Sequence, residues 1–132
     1  MSRKEEKSRR TDVGICLRDI RDSAEAIERY VEGVTEVQFR ADPMRQDAVV
    51  RRIEIIGEAA DRIIKADPGY MTSLPGLPLA AAKLMRNKVI HEYDGVDPGV
   101  VWDTARNDVP DLGRKVAEVL AAQTVHPPPS AR

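Results

Sequence analysis

From position 13 onward, apolar residues recur at steps of four and three: Val13, Leu17, Ile20, Ala24, Ile27, Val31 and Val34. This pattern limits the fold more than any other feature of the chain. At about 100° per residue, these positions line one side of an α-helix, and a seven-residue period keeps that side against a near-antiparallel neighbour. A half-buried strand would need strict alternation of apolar and polar residues, which is absent here. One apolar stripe on one helix is not a stable structure in water, so the rest of the chain must supply matching faces.

It does so three more times. In "ADPMRQDAVVRRIEIIGEAADRIIKADP", Asp42 is placed to cap a helix and Pro43 to occupy its first turn, where a missing N–H costs nothing. Val49, Ile53, Ile56, Ala60 and Ile63 form the stripe, widened by Ile55 and Ala59, and Gly57 allows a neighbouring helix to come close. Pro68 ends this helix, and "PGYMTSLPGLP" reads as a loop with at most one helical turn. A third helix is predicted from Pro78 or Leu79 to the Asp94–Gly95 pair, with glycine as its left-handed cap. Asp97 and Pro98 repeat the cap-and-proline device and open a fourth helix, in which Pro110 predicts a kink before Val116, Val119 and Leu120 resume the apolar face. The first helix is expected to start at a Thr11 or Asp12 cap and to end near Gly33, with Trp102 anchoring the core and Tyr30 and Phe39 closing one end.

The expected architecture is an all-α up-and-down bundle of four principal helices, five if the kink at Pro110 divides the last. It would occupy residues 11–122, between a flexible N-terminal tail (1–10) and a disordered proline-rich tail (123–132). No strand and no internal repeat are expected. Aromatics make up only 4 % of the residues and charged residues 33 %, a balance that suits helices built on Leu, Ile, Val and Ala.

A net charge of −1 excludes a generally basic coat but not a local basic patch, for which Arg51, Arg52, Lys88, Arg9 and Arg10 are candidates beside the equal alternative of solvated helix faces. The single cysteine, Cys16, precludes an intrachain disulfide and fits a reducing, cytoplasmic setting. No apolar run approaches the roughly 20 residues that span a bilayer, and "MSRKEEKSRR" lacks the apolar segment of a secretory signal.

The stretch "RNKVIHEY", residues 86–93, holds one of two histidines in the chain. Histidine exchanges a proton near neutrality, and arginine keeps its charge and matches the fork of a phosphate. Together they suit metal-free cleavage of RNA: the ribose 2′-OH attacks, His91 transfers protons and Arg86 stabilises charge on phosphorus. Asn87 could orient the imidazole or bind a phosphate oxygen, and Tyr93 could donate a hydrogen bond or stack on a base. On a continuous helix the residues form two stripes, Arg86–Ile90–Tyr93 and Asn87–His91–Asp94. Arg86 and His91 would then point about 140° apart. One helix does not aim both at the same atom, whereas two copies facing across a two-fold axis would, which predicts a homodimer. The structural alternatives are a hydrogen-bonded histidine and an arginine paired with a carboxylate. Glu58, in "IGEAA", is expected partly buried and ion-paired with Arg86 or with an arginine of a second copy, with positioning of Arg86 as the functional variant. No second histidine or thiolate sits at ligand spacing, so no metal site is expected.

The ordered set "LRDI", "DAVVRRIEIIGEAA", "MRNKVIHEYDGVD" and "VW" resembles the HEPN superfamily, and within it the HepT-like toxins, over roughly Asp12 to Leu120. The resemblance implies a homodimeric helical ribonuclease that needs no cofactor, whose motif helices meet at the interface in a composite RNA-cleaving cleft. Arg86 and His91 match the catalytic pair of that family, Asn87 its polar neighbour and Tyr93 its tyrosine. It further implies a type II toxin–antitoxin pairing with an MNT-type nucleotidyltransferase, which would neutralise the toxin by transferring AMP to Tyr93. A competing expectation is a non-catalytic helical partner or regulatory subunit of such a nucleotidyltransferase.

Overall fold

A computed structural model of the chain describes residues 2–69, 76–91 and 95–125, without the side chains of 6, 8–11, 91, 124 and 125. Six α-helices lie among these residues: α1 (Arg3–Val31), α2 (Glu36–Arg40), α3 (Pro43–Ala66), α4 (Leu79–Val89), α5 (Pro98–Asp103) and α6 (Val109–Val125). The last two are joined by a wider π-helical turn, Thr104–Asp108. Two short strands, β1 (Ile90–His91) and β2 (Gly95–Val96), pair antiparallel with Ile90 opposite Val96 and His91 opposite Gly95.

The predicted stripes are the core. Leu17, Ile20, Ile27, Val49, Ile53, Ile56, Ala60 and Ile63 are fully buried. Helix α1 packs on α3 and α6, and α3 packs on α4. Their directions alternate. Arg45, in the first turn of α3, donates to the carbonyl of Tyr30, near the end of α1. Phe39 is buried and tilted against Trp102, with ring centroids 5.3 Å apart; Trp102, expected to anchor the core, is half-buried and packs at its edge, as does Tyr30. Burial also pushes the Cys16 thiol up from its ordinary range.

The local signals mark several boundaries correctly. Asp42 and Asp97 cap α3 and α5, each with proline next in line. Gly33 adopts φ +70° just past α1. Elsewhere the structure departs from expectation. Helix α1 starts at Arg3, capped by Ser2, and so takes in most of the stretch read as a tail and bypasses Thr11 and Asp12. A second capping signal was overlooked: Thr35 and Gln38 form a reciprocal capping box that opens α2. Helix α6 runs to Val125 rather than ending near 122, because Ala121, Ala122 and Gln123 are good helix formers. His126 and the rest of the proline-rich tail lie outside the described residues, as do positions 70–75 of the loop before α4.

Two corrections affect the motif. Helix α4 stops at Val89, and Ile90 is already extended (φ −108°, ψ 115°), so the predicted helix to Asp94 does not form. β-Branched Val89 and Ile90 favour extended backbone. The positive φ of Gly95 (+75°) belongs to the β1–β2 hairpin and not to a helix cap. Pro110, in contrast, disrupts its helix as expected, but upstream of itself. A proline at 110 cannot donate to the carbonyl four residues earlier and crowds it. The helix widens just ahead, with the Val109 N–H reaching back to Thr104. Thr104 donates from its hydroxyl to the Val100 carbonyl at 2.8 Å, which favours the same bend.

Candidate functional site

The α3–α4 seam positions Arg86. These helices run antiparallel, so that Gly57 faces Arg86 and Asp61, one turn later on α3, faces Lys83, one turn earlier on α4. A Cβ at Gly57 would lie 3.0 Å from Arg86 Cβ, 3.6 Å from its Cδ and 3.7 Å from the Ala82 carbonyl. The aliphatic stem of Arg86 therefore lies across the bare backbone of α3, in a close approach that any larger residue would obstruct. Asp61 braces the same seam. Its carboxylate contacts Lys65 at 2.9 Å and Lys83 at 3.1 Å, and these two ammonium groups, Lys65 first, hold its pKa below the usual carboxylate range. The Lys83 contact is an ion pair whose geometry falls short of a hydrogen bond to the buried Oδ1.

Arg86 itself is half-buried and makes no hydrogen bond or ion pair among the described residues. Neighbouring cations are committed: Lys88 approaches Asp108 at 3.7 Å, and Arg51 approaches Glu54 at 3.4 Å. Arg52 is half-buried and, like Arg86, has no such partner among the described residues. Arg9 and Arg10 sit on α1, with side chains outside the described residues.

Glu58 is corrected. It is exposed and pairs with no described residue, Arg86 included. The helical rotation explains this: Ile53, Ile56, Gly57 and Ala60 span one side of α3, and position 58 falls about 100° beyond Gly57. Asn87 is exposed on α4. The backbone of His91 is in β1, one residue past the end of the helix and its cap, while its side chain and all of Tyr93 lie outside the described residues. The expected pair of stripes on one continuous helix is thereby overturned, since Arg86 belongs to a helix and His91 to a strand.

Two hollows are larger than their neighbours. One, of about 580 Å³, lies between the end of α1 and the π-helical turn, lined by Glu25, Glu28, Glu32 and Arg106. The other, of about 400 Å³, lies between α4 and α6, bordered by Leu84, Met85, Lys88 and Leu112. Arg86 lines neither. The outward side of α4 carries the exposed apolar residues Ala80, Ala81 and Leu84, the last 59 % exposed, beside the exposed Asn87 and Lys88. Among the described residues, no group of three His, Cys, Asp or Glu side chains is placed to hold a metal ion, and no helix is long and apolar enough to cross a membrane.

The seam contains a pair that the sequence did not suggest. Asp61 and Lys83 look like ordinary surface charges until α3 and α4 are set antiparallel. The available signal was their spacing, four residues after Gly57 and three before Arg86.

Comparison with known proteins places the chain in a family. A family profile described as "Ribonuclease HepT-like" matches residues 20–119. The chain is 39 % identical to the "Probable ribonuclease HepT" of Thermococcus cleftensis, over 75 % of this chain and 87 % of that protein. It is 35 % identical to a "Putative RNase" of Caldanaerobacter subterraneus, over 79 % of this chain and 90 % of that one. A third relative, "Gamma-glutamylcyclotransferase and putative RNase" of Methanocaldococcus jannaschii, is 37 % identical over 84 % of this chain, which spans only 49 % of that longer protein. No solved structure gives a significant match.

Proposed function

From the premise that this chain belongs to the HepT-like ribonuclease family of HEPN proteins, we propose that Arg86 and His91 carry out metal-independent endonucleolytic cleavage of RNA. The observation that carries this reading is Arg86 itself: its aliphatic stem lies against Gly57 and its guanidinium has no carboxylate partner among the described residues, five residues before His91. A half-buried cation left uncommitted is suited to an anionic ligand, and a phosphodiester matches its forked donors.

In the proposed reaction, His91 accepts the proton of a ribose 2′-OH while that oxygen bonds to the adjacent phosphorus. The bond from phosphorus to the 5′-oxygen breaks, and the imidazolium returns its proton to the leaving oxygen. The products are a 2′,3′-cyclic phosphate and a 5′-hydroxyl. Arg86 stabilises the charge that builds on the non-bridging oxygens. Asn87 supplies a polar contact at the cleft and Tyr93 lines it.

The cleft is completed by a second subunit. This part of the reading is supported by the exposed apolar residues Ala80, Ala81 and Leu84 on α4. Arg86 of one copy and His91 of the other then face one RNA backbone. In the cell the enzyme acts as the toxin of a type II pair. A nucleotidyltransferase antitoxin silences it by transferring AMP to Tyr93, adding charge and bulk where RNA would lie.

The test is cleavage of a model RNA, in the presence of EDTA, by the purified protein and by Arg86→Ala and His91→Ala. Both variants should fold, dimerise and lose cleavage. If either cleaves like the parent, the catalytic assignment fails. Intact-mass analysis after coexpression with the nucleotidyltransferase should show added AMP that Tyr93→Phe abolishes, and a mass gain that persists in Tyr93→Phe would refute that site.

A further inference from the structure

Arg86 seats against Gly57 on the α3–α4 seam, and the observations around it converge. Gly57 is buried, and a Cβ there would meet Arg86 Cβ at 3.0 Å, an atom fixed by the backbone of α4 and unable to swing aside. Arg86 Cδ passes 3.6 Å from the same point, so the stem is laid along α3 before the guanidinium emerges. One turn away, the Asp61–Lys83 ion pair at 3.1 Å ties the two helices at matching register and opposes sliding. Asp61 is also held in place on its own helix by Lys65 at 2.9 Å. Nothing else among the described residues hydrogen-bonds or ion-pairs with Arg86, so its placement rests on packing alone.

We propose that Gly57 is a positioning residue for the Arg86 guanidinium, its missing side chain setting how deeply the arginine stem seats between α3 and α4, with the Asp61–Lys83 pair fixing the register. This inference rests on the reading of Arg86 as a catalytic residue. A methyl group at 57 moves α4 outward by a few tenths of an ångström and turns the stem. The backbone and core survive such a shift, but transition-state contacts register it: displacements approaching 1 Å cost about a hundredfold in rate, so a few tenths cost about threefold to tenfold. The consequence belongs to kcat and not to RNA binding, because the charge remains in the cleft while its aim changes.

The experiment is a double-mutant cycle on the intact protein, with steady-state cleavage of a model RNA, thermal melting and oligomeric state measured for Gly57→Ala, Arg86→Ala and the double variant. Gly57→Ala should lower kcat about threefold to tenfold with KM within about twofold, and should have no further effect in the Arg86→Ala background. Asp61→Asn, which keeps the side-chain shape, should lower kcat by a smaller factor and should likewise have no effect without Arg86. If Gly57→Ala unfolds the protein, Asp61→Asn carries the same cycle. Losses that multiply in the double variants would overturn the proposal, as would parental kcat in Gly57→Ala with Arg86→Ala inactive. Full activity in Arg86→Ala instead strikes the catalytic reading, and this inference falls with it.

Discussion

At Gly113, on α6, an added Cβ would lie 2.8 Å from the Ala24 methyl of α1, and at Gly57, on α3, it would lie 3.0 Å from Arg86 Cβ on α4. Both glycines let antiparallel helices approach more closely than side chains ordinarily allow. What fills the space differs. At Gly113 a methyl group contributes packing density and nothing else. At Gly57 the stem of a cation uses the seat and leaves its charged end uncommitted. The same packing device serves stability in one seam and, in the other, seats the arginine proposed for the site. Only the chemistry of the opposing residue distinguishes them.

This contrast can be broken in several ways, beginning with the largest effect. Arg86→Ala should cut RNA cleavage by about a hundredfold to a thousandfold, as expected for losing one preorganised stabiliser of transition-state charge. Its melting temperature should stay close to the parent, because the side chain makes no ion pair among the described residues. Gly113→Ala should do the opposite. Overpacking against Ala24 should destabilise the fold by about 1–3 kcal/mol in urea titration, with cleavage per folded molecule unchanged. Adding Ala24→Gly should recover part of that loss, and no recovery would show that the close contact is not its source.

Acid should have a smaller effect, acting across the α3–α4 seam at Asp61 and within single helices at Asp42 and Asp111. Asp61, Asp42 and Asp111 have carboxyls held below their ordinary value of 3.8, chiefly by Lys65, by the Arg45 backbone N–H and by Lys115 respectively. A carboxylate lowered in this way stabilises the fold fully above its unfolded pKa, and the contribution disappears as pH falls through the lower folded value. Thermal melting should thus be insensitive to these groups above about pH 5 and should weaken below about pH 4. Asp61→Asn should remove part of that acid slope, and an unchanged slope would sink the assignment. The smallest effect should come from Glu58→Ala. An exposed, unpaired glutamate one residue from Gly57 should alter stability by less than about 0.5 kcal/mol. A large loss of cleavage in Glu58→Ala would point to a partner for Glu58 on a second subunit.

Much of this bundle was legible in adjacent residues. The four-and-three stripe from Val13 to Val31, the Asp42–Pro43 and Asp97–Pro98 caps and the disturbance ahead of Pro110 all appear where they were read. The reading of Gly57 as a close-approach residue also holds, although its opposing residue could not be named from one strip of sequence. The motif was less legible. Arg86 and His91 were visible as residue types, but the helix that was to carry both ends between them. Glu58 was expected partly buried and paired with Arg86 or with an arginine of a second copy, and the rotation of α3 turns it to solvent with no partner among the described residues.

By itself, the sequence determined where the proline-marked helices begin, which faces the long helices bury and that a guanidinium and an imidazole lie five residues apart. Those properties arise from interactions within one or two turns, and such interactions are written in neighbouring positions. The tertiary structure decided that Arg86 seats on Gly57, that Asp61 meets Lys83 across the seam and that α4 gives way to a strand before His91. These outcomes depend on what stands opposite, and a side chain gains its partner across a seam only after both helices have been brought together by their apolar faces.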